Sequence, residues 1–185
     1  MIAADGVLDF WFDGDATRYR DAWFEADAAF DAMCARFAGA LQFARDGLLD
    51  HWAETPRGIL ALILLLDQFS RNLHRGSPVA FAADAKALGL ARDAVARGID
   101  GQLHPIERMF IYLPFQHSED AADQEESVRL FEALRLALGD ATTEYAYRHR
   151  DIIRRFGRFP HRNAALSREG TAEEQRYLTQ AGASF

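Results

Sequence analysis

The chain has 185 residues, 49% hydrophobic and 12% aromatic, which is enough to close a sizeable core and too apolar for a disordered protein. Its formal charge of −7 excludes a general nucleic-acid binder, whose footprint is basic. The lone cysteine, Cys34, excludes an intrachain disulfide or a cysteine zinc cage; the N-terminus lacks a signal-peptide pattern, and the apolar run Ile59–Leu66 is too short for a bilayer, so the expectation is a cytoplasmic protein with no membrane partner.

Helical spacing dominates from the start. Trp23, Phe30, Cys34, Phe37 and Leu41 recur with helical period in the Pro-free segment from Arg18 to Arg45, and Gly47 follows as a stop. Pro56 opens the next helix, which is apolar all round from Ile59 to Phe69 and therefore predicted to be central and buried. Ser77-Pro78 reads as a cap and first turn, leading a helix through Phe81, Leu88 and Val95 to Gly98. His104-Pro105 opens another, which Pro114 is expected to kink or end. Ser118 or Asp120 caps a helix with the stripe Val128, Phe131, Leu134 and Leu138; a further helix covers Thr143 to Phe156, and Thr171 with Glu174 forms a capping box for a short last one. No segment alternates like a strand. The predicted fold is all-α, one domain over residues 1–185 with seven to nine antiparallel helices.

Three polar clusters interrupt this pattern. In LDQFSRNLHRG, Asp67, Arg71 and His74 share one face at i, i+4 and i+7. An Asp–Arg pair and a cationic last turn explain them structurally, yet charges on a buried helix need partners. In LPFQHSED, Glu119 and Asp120 fall where a helix start favours acids, while His117 is a loop imidazole beside carboxylates, suited to proton transfer. The third, YRHRDIIRRFGRFPHRN, places His149 on the apolar stripe with Tyr145, Ile152 and Phe156, where a satisfied core histidine is the ordinary explanation. Its Gly157 suits a helix end, and Pro160 drives Phe159 out of helical geometry, leaving His161, Arg162 and Asn163 on a rigid turn. From Arg148 to Arg168 the charge sums to +6, in a chain that is otherwise −13. Such a segment attracts an anion or docks on the protein's own acids.

No known catalytic template completes itself: there is no H-E-x-x-H, Walker loop, G-x-S-x-G or G-x-G-x-x-G. The spacings of His117, His149 and His161 do not mark a metal site, and no cofactor is indicated.

The stretches VLDFWF, LALILLLDQFSRN, LPFQHSED and FGRFPHRN, in that order, resemble a bacterial family known as domain of unknown function 924, from about Val7 to Leu178. The resemblance implies an all-α fold similar to tetratricopeptide-repeat proteins, with irregular stacked helix pairs, and it brings no established activity. Where the family often reads L-G-R-x-S/T after the last motif, this chain has LSREGT.

The leading expectation is a small-molecule site where the clusters meet. Arg71, Arg158 and Arg162 would grip an anionic group, with Asn163 beside them; His117 and His161 are the proton-transfer candidates, with Glu119 or Asp67 orienting them. Two other readings stand beside it: a helix-pair scaffold binding a peptide in its groove, and a buried ionic knot that fixes how the helices stack.

Overall fold

The computed structural model describes residues 3–25, 27–180 and 182–183. Among these every regular element is helical, in the order α1 (Ala4–Phe12), α2 (Ala28–Cys34), α3 (Ala38–Arg45), α4 (Pro56–Ile63), α5 (Ser70–Leu73), α6 (Asp84–Ala96), α7 (Pro105–Gln116), α8 (Ala121–Leu138), α9 (Asp140–Phe156) and α10 (Ala172–Leu178). The 3₁₀ turn Ala35–Phe37 joins α2 to α3, and a π-helical turn, Leu64–Phe69, joins α4 to α5. Taking each joined pair as one helix leaves eight among the described residues, within the expected range.

The apolar stripe read between Arg18 and Arg45 is buried throughout, but it is not one helix. Residues before Ala28 instead fold back over the end of α1. There Trp23 Nε1 and Arg20 Nη1 both donate to the Trp11 carbonyl, at 2.9 and 2.8 Å, which satisfies an acceptor that the helix end leaves open. Trp11, Trp23, Phe30, Phe69 and Phe110 then pack ring against ring at the heart of the core.

The central helix begins as read: Thr55 accepts from the Gly58 amide and Pro56 takes the first position. Every residue from Gly58 to Ser70 is buried. Gly58 is needed there, because a Cβ would stand 2.0 Å from the Trp52 carbonyl oxygen. α1, α6 and α7 pack around this helix, with α8 and α9 continuing outward from α7. Ser77 accepts from the Val79 amide as expected, but the turn it caps is 3₁₀, Pro78–Phe81; α6 starts only at Asp84, so Phe81 lies outside it. Pro114 does not end α7 at its own position. It sits in the last turn, and the helix runs on to Gln116, with the His117 amide bonded to the Leu113 carbonyl.

Caps elsewhere are as read. Asp120 accepts from two amides at the start of α8, Thr171 and Glu174 form a reciprocal box on α10, and His104 with Glu107 forms another on α7. Gly157 ends α9 in the left-handed region at φ 69°, and Phe159 is extended before Pro160. A small second apolar cluster of Ile152, Ile153 and Phe159, with Phe156 and Tyr177 against it, holds the FGRFPHRN loop to α9 and α10.

Candidate functional site

The π turn carries Asp67. A π turn inserts an extra residue into a helix and recurs at functional sites. Asp67 is wholly buried, and its carboxylate is fully engaged: Oδ1 meets Arg71 Nη1 at 2.9 Å and His117 Nδ1 at 2.7 Å, while Oδ2 accepts from Gln68 Nε2 at 2.5 Å. Burial alone would raise its pKa, but the Arg71 charge and His117 outweigh burial and hold Asp67 below the ordinary carboxylate range. An ionised carboxylate only accepts, so His117 Nδ1 carries the hydrogen and Nε2 the lone pair.

Arg71 reaches on to α6, where it grips Asp84 with two bonds at 3.0 and 3.1 Å. Asp84 is approached from its other side by Arg162 Nη1 at 3.5 Å. Arg162 comes from the 3₁₀ turn Pro160–Arg162, and its guanidinium lies between the rings of Phe81 and Phe159, at 4.8 and 4.6 Å. It is only 7% exposed, yet its side chain donates no hydrogen bond to any described residue. Burial, then the nearby Arg71 charge, lower its pKa to about 10, so it is still cationic at neutral pH.

These groups form one wall of a cavity of about 620 Å³. Arg71, Arg75, Arg148 and Arg162 line it, with His117, His149 and His161. No described carboxylate does; Asp67 and Asp84 lie behind the wall. The opposite side is apolar and aromatic, with Trp23, Met109, Leu113 and Phe131, and Tyr19, Phe24 and Tyr145 stand half exposed. Burial pushes His149 down to about 3 and His161 to about 4, the latter helped by Arg162. His117 is lowered too, by burial, against the pull of Asp67. All three rings are neutral at pH 7.

Comparison with known proteins places the chain. The family described as bacterial protein of unknown function (DUF924) matches residues 7–182. The chain is a member of the DUF924 family. It is similar to a solved protein of unknown function, ATU0120 from Agrobacterium tumefaciens, with 44% identity over 95% of this chain and 96% of that one, at a TM-score of 0.85. No match is found among curated proteins.

Of the residues singled out from this DUF924 sequence, Arg71, His117, His161 and Arg162 meet at the cavity, with Asp67 directly behind His117. Four others are elsewhere. Arg158 is turned to α10, where Glu174 takes it at 2.6 and 2.8 Å and the Glu169 carbonyl at 2.8 Å. Glu119 accepts from the Phe159 amide at 2.8 Å and from Arg168, and Asn163 accepts from Arg168 Nε at 3.0 Å. His74, expected on the face of Asp67 and Arg71, also leaves the site, because the π turn shifts the register and the helix ends at Leu73. His149 was read only as a core histidine. It is buried, and its Nδ1–H donates to the Tyr145 carbonyl at 2.8 Å, but it also faces the cavity. Phe81 gave no signal at all, since its role depends on Arg162, eighty-one residues later. Among the described residues no group of three His, Cys, Asp or Glu is placed to hold a metal, and no helix is long and apolar enough to cross a membrane.

Proposed function

We propose that the cavity binds an anionic small molecule with an apolar body, held by Arg162 at its charged end. One observation carries this reading: a buried guanidinium with five donors makes no hydrogen bond to any described residue, has only the 3.5 Å ion pair with Asp84, and lines a cavity whose wall bears no described carboxylate. Leaving the donors of such a group without hydrogen bonds is costly, and a carboxylate or phosphate matches its geometry. The volume suits a small ligand, and the aromatic side supplies the apolar contact. Asp67 orients His117, whose Nε2 lone pair is the group best suited to move a proton on the bound molecule.

The test is a thermal-shift and calorimetric screen of apolar carboxylates and phosphates against the wild-type chain and Arg162→Met. A ligand at 100 times its Kd adds about 2.7 kcal/mol, which is about 5–10 °C for a chain of this size. Arg162→Met should fold and lose that shift. No anion-dependent shift in the wild type would refute the reading.

Two observations favour other readings in part. Arg71 is consumed by Asp67 and Asp84, so it acts as an ionic brace between the central helix and α6. Arg71→Met should therefore lower the melting temperature far more than Arg162→Met; equal losses would make the whole cluster structural. The half-exposed Tyr19, Phe24 and Tyr145 suit a peptide at the mouth, as in a tetratricopeptide-like scaffold. Binding there would be indifferent to Arg162→Met.

A further inference from the structure

Building on the anion-site reading, we propose that the cavity takes a singly charged acid together with one proton, and that His117 accepts the proton.

The inference rests on the charges that face the site from each packed element. The central helix contributes Asp67 and Arg71, α6 contributes Asp84, and the 3₁₀ turn contributes Arg162. Two cations meet two carboxylates, so this set, with Asp67 and Arg162 buried and Arg71 and Asp84 about a fifth exposed, is already neutral while the histidines are uncharged. Of the remaining charges nearby, Arg75 is answered by Asp31 and Glu119 by Arg168, while Arg148, also in the lining, stands exposed to water with its guanidinium on the Gly182 carbonyl. An anion entering beside Arg162 therefore adds one negative charge at the buried end of this set. Uptake of one proton restores neutrality. A dianion would need two.

Of the three cavity histidines only His117 is built to hold that proton. Its ring is bonded to a buried carboxylate, which stabilises an imidazolium, and its other nitrogen is open to take the hydrogen. His149, from α9, donates Nδ1–H to a carbonyl, and its ring lies 6.4 Å from that of His117. His161 stands next in sequence to Arg162, whose charge opposes a second cation. The depressed pKa of His117 fits a ring that is neutral before the ligand arrives and charged after it. The ligand class that follows is a monocarboxylate, or another monoanionic acid, on an apolar or aromatic body.

Calorimetry on the full wild-type chain at about pH 7.5 tests this, in two buffers of different ionisation enthalpy, with 4-phenylbutyrate, phenyl phosphate and 4-phenylbutyramide as probes. The carboxylate should bind with uptake of close to one proton, and its Kd should weaken about tenfold per pH unit above neutrality. Phenyl phosphate, a dianion there, should bind more weakly, and the neutral amide weakest. His117→Gln should abolish the uptake; should that variant not fold, histidine ring resonances of the wild type, followed with pH with and without 4-phenylbutyrate, report which ring is charged. Carboxylate binding without proton uptake, uptake that persists in His117→Gln, or tighter binding of the phosphate overturns this inference and leaves the anion site standing. Failure of both anions to bind, or equal binding of the amide, overturns the anion site and this inference together.

Discussion

Arg168 holds Glu119 through two nitrogens, at 2.7 and 3.0 Å, and with the same guanidinium donates to the Phe159 carbonyl at 3.0 Å. Glu119 in turn accepts from the Phe159 amide. The pair thus pins both backbone groups of the residue that precedes Pro160 and sets the angle at which His161 and Arg162 enter the cavity. Glu119 is therefore a positioning residue for the loop. Glu119→Gln and Arg168→Met should each cost about 1–3 kcal/mol in urea unfolding, since each leaves a half-buried charge or amide without its partner. The double variant should cost less than the sum of the two. Additive losses would show that the pair does not act as a unit.

Stability should fall with acidity before any carboxylate titrates. His149 and His161 have folded pKa values of about 3 and about 4, below the ordinary 6.5, because burial disfavours their charged form. Between those values and 6.5 the unfolded chain binds more protons, so their contribution is complete above about pH 6.5 and is lost as pH drops toward 4 and then 3. Each pH unit costs about 1.4 kcal/mol per histidine in that window. Glu119 and Glu174, whose pKa values are lowered by Arg168 and Arg158, lose theirs only below the ordinary 4.5. Urea midpoints should hold from pH 7.5 to about 6.5 and then decline toward pH 5, and His161→Gln should reduce that slope by one proton. A flat profile would contradict the burial of these rings. Anion binding should have the opposite sign and tighten over the upper part of the same range.

Much of this was legible locally. Asp120, Thr171 and Pro56 announce helix starts because a cap acts on amides two or three residues away, and Gly157 with Pro160 fixes a helix end and a turn by their own geometry. The three clusters that meet at the cavity were visible as polar interruptions of apolar helices. What adjacency cannot show is pairing across distance. Asp67 meets His117 fifty residues on, and Glu119 meets Arg168 after forty-nine. Sequence reading therefore put Glu119 and Arg158 at the candidate site, whereas Arg168 and Glu174 claim them. The break between Arg18 and Ala28 was hidden for the same reason, since it serves the Trp11 carbonyl of another helix.

Phe81 carries one side of the Arg162 stack and also lies 5.7 Å from the Arg71 guanidinium. Phe81→Leu keeps an apolar side chain but removes the ring face, which is worth about 0.5–2 kcal/mol per cation–π contact. Affinity for 4-phenylbutyrate should drop several-fold by calorimetry, while the melting temperature moves by only a few degrees. Unchanged affinity would show that the stack does not orient Arg162.

Gly58→Ala should be among the most damaging single changes in the chain. The added methyl would meet the Trp52 carbonyl, which is backbone and cannot rotate away. The start of the central helix must then move, at a cost of about 2–4 kcal/mol. Thermal melts of the variant check this; a shift of less than a few degrees would mean the 3₁₀ turn Asp50–Glu54 yields easily.

The π turn at Leu64–Phe69 winds more loosely than the helix on either side and so takes in a surplus residue without turning the segment beyond it. Deleting one apolar residue from Leu64 to Leu66 would let the segment close as regular α-helix and leave Arg71 facing Asp84, while Asp67 and Gln68, inside the turn, would lose their present directions. The helix would gain regularity while the carboxylate behind His117 lost its aim. In this fold a surplus residue acts on one side chain, and an irregular turn aims the group on which the neighbouring imidazole depends.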